Sequence, residues 1–413
     1  MMSLSASHMS TSPKASGVVL PPHGLLIAML TLGMGGLFIG TGEFASMSLL
    51  PDMAQSSGVS IPVAGSYISA YALGVVFGAP LIAALGARCE RKTLLLMLLA
   101  LATLGYLASA FAWDHLSLLM ARFVSGLPHG AYYGVAALVA SAMVSAQRRA
   151  QAIGYVMLGL AAANVIGVPA ATWLGQTWGW RSAFGCVGLG CALTATMLML
   201  FVPRVAAEAG VSALTELAGL KSLQLWLTLG VASIGFGGMF AVYSYITPTL
   251  TEVTGLALSS VPMALATWGM GMIVGNLVGG WLADRALIPA IFSMLVWNMV
   301  FLALFSVTAS STYWALVTLF LIGNGFALVP ALQAHLMQVG GKAQTLAAAL
   351  NHSAFNVSNA IGASLGGLAI AQGLGWASTG WVGGALAFAG LLVMVPAGIL
   401  ASRHSHMRTQ EDA

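Results

Sequence analysis

Long apolar runs of about 20 residues or more, nearly free of charge, dominate this sequence. At 1.5 Å per residue, a helix of that length spans the roughly 30 Å hydrocarbon core of a bilayer. Charged residues make up 6% of the chain and hydrophobic residues 59%. A soluble domain is roughly a quarter charged, and a chain this poor in charge cannot cover a water-facing surface. Disorder needs low hydrophobicity. Soluble globular and disordered classes are therefore both excluded. A β-barrel would alternate polar and apolar residues in segments of about ten, and these runs do not alternate. The expected fold class is an all-α membrane protein.

The runs fall at 24–50, 62–86, 93–112, 116–144, 152–174 and 183–202, then at 223–250, 260–283, 289–308, 313–338, 344–371 and 378–401. A more polar stretch separates the sixth from the seventh. The expected domains are a disordered cytoplasmic tail at 1–23, a six-helix bundle at 24–202, a cytoplasmic linker at 203–222, a second six-helix bundle at 223–401 and a cytoplasmic tail at 402–413. The start of the chain lacks the charged n-region of a signal peptide, and the first run contains Glu43, so it reads as a mature first span. With the N-terminus inside, the cytoplasmic segments carry Lys14, Arg88, Arg91, Lys92, Arg148, Arg149, Arg204, Lys221, Arg285, Lys342, Arg403 and Arg408. Of the other two basic residues, Arg181 lies in an outer loop and Arg122 lies inside span 4. This bias predicts twelve spans with both termini inside a membrane of the bacterial inner-membrane type. The net charge of +4 is thereby read as orientation rather than as nucleic-acid binding. Cys89, Cys186 and Cys191 have neither metal-ligand nor disulfide spacing and read as small packing residues.

The two halves look duplicated. Span 5 reads Asn164-Val-Ile-Gly167 and then Gly179-Trp180, while span 11 reads Asn359-Ala-Ile-Gly362 and then Gly375-Trp376. The loop after span 2, Leu85-Gly86-Ala87-Arg88-Cys89-Glu90-Arg91-Lys92, corresponds to Gly280-Trp281-Leu282-Ala283-Asp284-Arg285 after span 8. Parallel six-helix repeats place a binding cavity near the midplane between the halves.

Gly280-x-Leu-Ala-Asp284-Arg285 resembles the cytoplasmic loop motif of the major facilitator superfamily. Arg122-x-x-x-Gly126 resembles its span 4 motif, and Gly159, Gly167-Val-Pro169 and Gly175 resemble its antiporter motif. Thr41-Gly42-Glu43-Phe44, Leu127-Pro128-His129-Gly130 and Gly179-Trp180-Arg181-x-x-Phe184 are similar to the arabinose-efflux-permease group of the twelve-helix drug:proton antiporters. The resemblance covers roughly 24–401. It implies two pseudo-symmetric bundles, alternating access, and a latch on the cytoplasmic side. The first-half loop departs from the pattern, with Ala87 in place of the usual Asp and Glu90 in place of the usual Gly, while Arg88, Arg91 and Lys92 remain. The latch is therefore expected to lean on Asp284 and Arg285.

Glu43 is the most informative single residue. A carboxylate inside an apolar helix is costly and marks a functional site. Burial penalises its charged form, which suits it to load and release protons near neutral pH. Arg122 is its candidate partner, since counting residues from the outer ends of spans 1 and 4 puts both roughly 10 Å below the outer surface. His129, nearer mid-membrane, is a candidate proton relay, although the Gly126, Gly130, Gly134 spacing also makes this a packing face. His335 and His352 lie near the cytoplasmic ends of spans 10 and 11. Tyr132, Tyr133, Asn164, Tyr243, Tyr245, Asn324 and Asn356 are candidate cavity-lining residues, because solute sites mix aromatic walls with a few polar anchors. Gly159, Gly167, Pro169 and Gly175 allow close helix approach and suit a sliding element, but static packing explains them equally well.

There is no P-loop, no H-E-x-x-H and no G-x-S-x-G, so ATP-driven pumping and the simplest hydrolase classes drop out. No metal, nucleotide or other cofactor is expected. The expected function is secondary transport of a small organic solute (a sugar, nucleoside or drug), exported in exchange for protons, with the bilayer as the surroundings and a monomer sufficient. Uptake by symport, uniport, and a non-transporting membrane sensor are the alternatives.

Overall fold

The computed structural model describes residues 21–86, 89–145, 148–205, 222–339 and 344–411. Most of the expected N-terminal tail and of the linker, and with them Arg88, lie outside the described residues. The first half comprises α1 (Pro22–Ser48), α2 (Ser66–Gly86), α3 (Arg91–Ala110), α4 (His115–Gly126 and His129–Ala142), α5 (Arg149–Ala162, a π turn at Ala163–Gly167, then Val168–Trp178) and α6 (Trp180–Phe201). The second comprises α7 (Leu223–Gly230, a π turn at Val231–Gly235, then Gly237–Ser244), α8 and α9 (together Val261–Thr308), α10 (Thr312–Asn324 and Leu328–Val339), α11 (Gln344–Ala371) and α12 (Ser378–Glu411). No strand occurs among the described residues.

Ten of these stretches are long and apolar enough to cross a membrane. That number leaves out α4, which is broken, and takes α8 with α9 as one. Restoring α4 and dividing α8 from α9 gives twelve spans, so both chain ends emerge on one face, called here the terminal face.

Each break has a local cause. Pro128 brings no N–H to continue the α4 ladder, and the helix restarts at His129. Ala286 leaves helical geometry (φ −156°, ψ 84°) just before Pro289, whose ring would clash with the carbonyl of Arg285 in an unbroken helix. Pro169 sits in the first turn of the last α5 segment, where its missing N–H costs least, directly after the π turn. Beyond 401 the backbone of α12 stays helical to Glu411.

Polar caps mark where the chain leaves the apolar medium. Asp114 and Ser117 form a reciprocal capping box at the start of α4. The Asp114 carboxyl accepts hydrogen bonds from Ser117, which hold it below the usual carboxylate range. Glu90 caps α3, accepting from the Lys92 N–H and the Thr93 hydroxyl at 3.2 and 2.6 Å. Slight burial pushes its carboxyl up, but these hydrogen bonds win and hold it below the usual range. The departure from the family pattern at Glu90 thus has a structural use. Lys92 Nζ donates to the Met199 carbonyl at 2.9 Å, and the Arg91 N–H to that of Val205 at 3.0 Å, so both tie α3 to the end of α6.

Leu30, Leu85, Leu104, Leu200, Met263 and Leu277 are each more than half exposed. Helices that are apolar all round, with such residues outermost, belong in lipid.

The internal repeat is quantitative. In the first half, glycines seat α2 against α4: Gly74 on the Phe123 carbonyl, Gly78 on that of Leu127, and Gly126 on that of Tyr71. In the second half, Gly271 lies on the carbonyl of Phe320, Gly275 on Asn324 and Gly323 on Trp268. Adding 197 to each number of the first set gives the second. A side chain at any of these crossings would push two backbones apart.

Candidate functional site

The α2–α4 crossing brings a polar cluster together inside the first half. Glu43 of α1 is buried, with its Oε2 3.6 Å from His129 Nδ1. The same Nδ1 lies 2.9 Å from the Tyr71 hydroxyl, and the His129 ring packs on Tyr133 with centroids 5.1 Å apart. That hydroxyl lies 3.0 Å from the Tyr106 hydroxyl, which donates to the Ile39 carbonyl at 2.9 Å. The chain of contacts joins α1, α2, α3 and α4.

Arg122 is fully buried, but it does not pair with Glu43 as the depth argument predicted. Its guanidinium donates to the Gly42 carbonyl and to Ser46 Oγ, both at 3.1 Å. It lies 4.5 Å from the centre of the Tyr71 ring and 5.2 Å from that of Phe184. Among the described residues, His129–Glu43 is the only contact within ion-pair distance. Depth put the two residues at one level, but α1 presents Glu43 to α4's second segment and to the other half, and its backbone to Arg122. Arg122 is thus a buried cation held by a carbonyl, a hydroxyl and two aromatic faces, with Glu43 beyond ion-pair distance and its own Nε left without a hydrogen-bond partner.

The carboxylate also crosses the boundary between halves: Asn359 Nδ2 of α11 donates to Glu43 Oε1 at 3.3 Å. On the face away from the termini, Thr247 Oγ1 donates to the Ser48 carbonyl at 2.6 Å and Gln176 Nε2 to that of Leu258 at 3.0 Å. The hydroxyls of Ser69 and Ser364 lie 3.2 Å apart there. The halves are joined at the face away from the termini.

Beside Glu43, an aromatic cluster fills the space between the halves. Phe44, Met239, Phe240, Tyr243, Trp268 and Phe326 surround a gap of ≈ 10 Å³, about the size of one water. Phe44 and Phe240 come from opposite halves and lie parallel, with centroids 6.3 Å apart. Tyr243 packs on Trp268 at 4.8 Å.

The remaining predicted residues separate into groups. Tyr243 lines the gap. Tyr132 and Tyr133 instead donate to the α1 carbonyls of Leu32 and Gly36 at 2.8 and 2.7 Å, and Tyr245 donates to Ala363 at 2.7 Å; these three clamp helices. Asn164, Asn324 and Asn356 each give their Nδ2 to the carbonyl four residues earlier. Gly159, Gly167 and Gly175 all face α1, against Gly33, Thr41 and Leu49. The glycines of the antiporter-like motif thus pack within their own half, while α5 also packs along α8 of the other half, where the Asn164 backbone lies on Gly269. Asp284 and Arg285 are exposed beside the α8–α9 bend, with the Arg285 guanidinium 3.6 Å from the Trp281 ring centre. His335 is buried against Gln224 at 3.3 Å, and the His352 ring stacks on Tyr133 across the halves.

Sequence reasoning missed Tyr71, Tyr106 and Ser46, and it noted Asn359 only as part of a repeat. The 197-residue offset would have found much of this, since it maps Tyr71 to Trp268 and Ser46 to Tyr243.

Two six-helix halves around a buried carboxylate at their boundary describe a membrane transporter of small solutes, not an enzyme. The sequence model of the Major Facilitator Superfamily matches residues 32–345, and the chain belongs to that superfamily. It is 38% identical over 368 residues to the inner membrane transport protein YdhP of Escherichia coli K12, covering 89% of this chain and 94% of that protein. It is 32% identical over 351 residues to the putative transporter AraJ of the same strain, covering 84% and 89%. Among solved structures, the xylose transporter XylE from E. coli superposes with a TM-score of 0.69 at 13% identity, covering 91% of this chain and 98% of that one; this likeness concerns the fold.

Proposed function

We propose that the protein exports a small organic solute across a bacterial inner membrane in exchange for protons, with both termini in the cytoplasm. The observation that carries this reading is the position of Glu43. It is the one buried carboxylate in the described core, it touches His129 in its own half, and it is held by Asn359 from the other half. A group that bridges two moving bodies can exchange that bridge for a proton. Protonated, Glu43 keeps an acceptor for Asn359 but loses its charge; ionised, it needs donors or a cation. Proton occupancy is thereby linked to whether the halves stay joined at this level. Arg122 holds α1 through Gly42 and Ser46 and sets the local field. Resemblance to the arabinose-efflux-permease strings, and 30% identity over 375 residues to a probable sugar efflux transporter of Helicobacter pylori, support export as the direction. The clustering of basic residues in the segments on the terminal face supports its assignment as cytoplasmic.

The test is solute-driven collapse of an imposed pH gradient in proteoliposomes, over a panel of sugars, nucleosides and aromatic amines. Wild type dissipates the gradient with at least one of these, and Glu43→Gln does not. Solute flux that is indifferent to the gradient would make the protein a uniporter, and flux in the same direction as protons would make it a symporter.

A further inference from the structure

The 197-residue offset also relates the segments that meet at the face away from the termini. Ser48, Pro51 and Gly58 in the first half become Tyr245, Pro248 and Gly255 in the second, and the two glycines share a left-handed backbone (φ 67° and 74°). The frame is common here too, but one side chain differs in reach. Ser48 stays in its own half, where its hydroxyl lies 2.6 Å from that of Thr172 in α5. Tyr245, at the matching place, is a fully buried phenol. It leaves helical geometry (φ −118°, ψ 23°) between Gly237–Ser244 and Ile246–Pro248.

The Tyr245 ring lies along α11, beside Gly366, and its hydroxyl donates to the Ala363 carbonyl at 2.7 Å. The hydroxyl end then enters a socket with two glycine walls. Gly367 of α11 forms one wall, and Gly65 of the first half, between Ile61–Ala64 and α2, forms the other. A methyl group on either glycine would collide with the Tyr245 hydroxyl, whereas the ring carbon bearing that hydroxyl would stand 3.2 Å away in both cases. The socket is therefore cut to the hydroxyl oxygen, and only glycine leaves room for it. The seam carries a cost as well. Ser66 and Ser244, next in sequence to Gly65 and Tyr245, have buried hydroxyl oxygens with no partner. Closure leaves these two groups unpaired and opening would hand them to water, so packing of the phenol must offset that loss.

We propose that Tyr245 is the plug of a gate at this face, carried by the second half and received by Gly65 of the first. The bond to Ala363 keeps the phenol on α11 when the halves part, so the wall that leaves is Gly65. The plug seats fully only when the two halves meet at the depth at which Gly65 reaches the hydroxyl, which makes closure of this face sensitive to a single atom on either side. The proposal deepens the transport reading given above. It rests on that reading for movement of the two halves, and not for proton exchange or for the solute.

Cross-linking across the same seam tests the plug. Ser69 and Ser364, whose hydroxyls lie 3.2 Å apart, are replaced by cysteine in the full-length chain, with Cys89, Cys186 and Cys191 changed to alanine. Disulfide formation under a mild oxidant in proteoliposomes, with no solute and no pH gradient, reads how much of the time this face is closed. Gly65→Ala should slow cross-linking about threefold or more. Adding Tyr245→Phe to Gly65→Ala should restore the parent rate, because phenylalanine lacks the atom that collides. Gly367→Ala, with and without Tyr245→Phe, serves in the same way should Gly65→Ala fail to fold. An unchanged rate in the folded glycine variants, or a slowing that Tyr245→Phe does not reverse, would overturn the plug. Gradient collapse in Glu43→Gln is read separately, so the plug and the proton-exchange reading fail independently of each other.

Discussion

The two halves share one frame and have filled it differently. Gly74, Gly78 and Gly126 seat α2 on α4 just as Gly271, Gly275 and Gly323 seat α8 on α10. Within that common crossing the first half holds an arginine, a glutamate, a histidine and two tyrosines, linked by hydrogen bonds and ring contacts. The second holds Phe236, Phe240, Phe326 and Phe355 in edge-to-face contact, 4.9–5.7 Å between ring centres. The difference teaches that the backbone repeat fixes where a site lies, while side-chain chemistry decides its task. Polar groups inside a membrane protein are costly unless satisfied, so a hydrogen-bonded polar cluster in one half and none at the matching place in the other marks a division of labour.

The largest effect should come from breaking the polar side. Arg122→Leu installs the residue that the second half carries at this position. It leaves the Gly42 carbonyl and Ser46 without their donor and removes the cation over Tyr71 and Phe184. Thermal melting in detergent should show a loss of about 3–5 kcal/mol, since two hydrogen bonds to a charged group are lost, with transport abolished. Leu319→Met, at the matching place, should cost less than about 1.5 kcal/mol. Equal losses at the two positions would erase the distinction between the halves.

Gly74→Ala and Gly271→Ala test the shared frame instead. Each new methyl group meets a backbone carbonyl of the facing helix, so each should lower the melting temperature strongly and by similar amounts. Gly154→Ala, which meets open space in a helix, should be neutral or stabilise by up to about 1 kcal/mol. Unequal effects of the first two would show that the frame itself has diverged.

Tyr71→Phe sharpens the account further. It removes one hydroxyl serving both His129 and Tyr106 and should cost about 1–3 kcal/mol, with transport reduced. Trp268→Phe, at the equivalent position, should affect solute affinity more than stability.

The smallest effect lies outside both sites. Asp114→Ala removes the α4 capping box and should lower the melting temperature slightly. The native-state carboxyl sits below its usual value, so this contribution is present above the unfolded value of about 3.9 and fades as pH falls through the lower folded one. A melting difference between Asp114→Ala and wild type that does not shrink as the pH falls below the unfolded value would contradict this assignment.

Much of this was legible in the sequence. Span number, the duplication and the superfamily followed from long apolar runs and repeated strings, because lipid forces helices and punishes exposed backbone. Glu43 stood out as an acid in an apolar run. Its partners did not, because depth along two helices says nothing about which faces meet. Arg122 found a carbonyl rather than a carboxylate, and no sequence pattern announces a backbone acceptor. Tyr71 and Tyr106 read as ordinary amphipathic residues in spans rich in leucine, and only the crossing at Gly74 and Gly126 brings Tyr71 to His129. The α8–α9 bend fell where Pro289 placed it, whereas the helical continuation of α12 past 401 carries no apolar signal to foretell it.

Proton release from purified protein in weakly buffered detergent, read for wild type and Glu43→Gln on adding the solute that collapses the pH gradient in proteoliposomes, probes the role of Glu43 directly. Release in wild type that disappears in Glu43→Gln, with that solute still bound by both, is the predicted result. Equal release from both proteins would place the exchanged proton elsewhere and contradict the role given to Glu43.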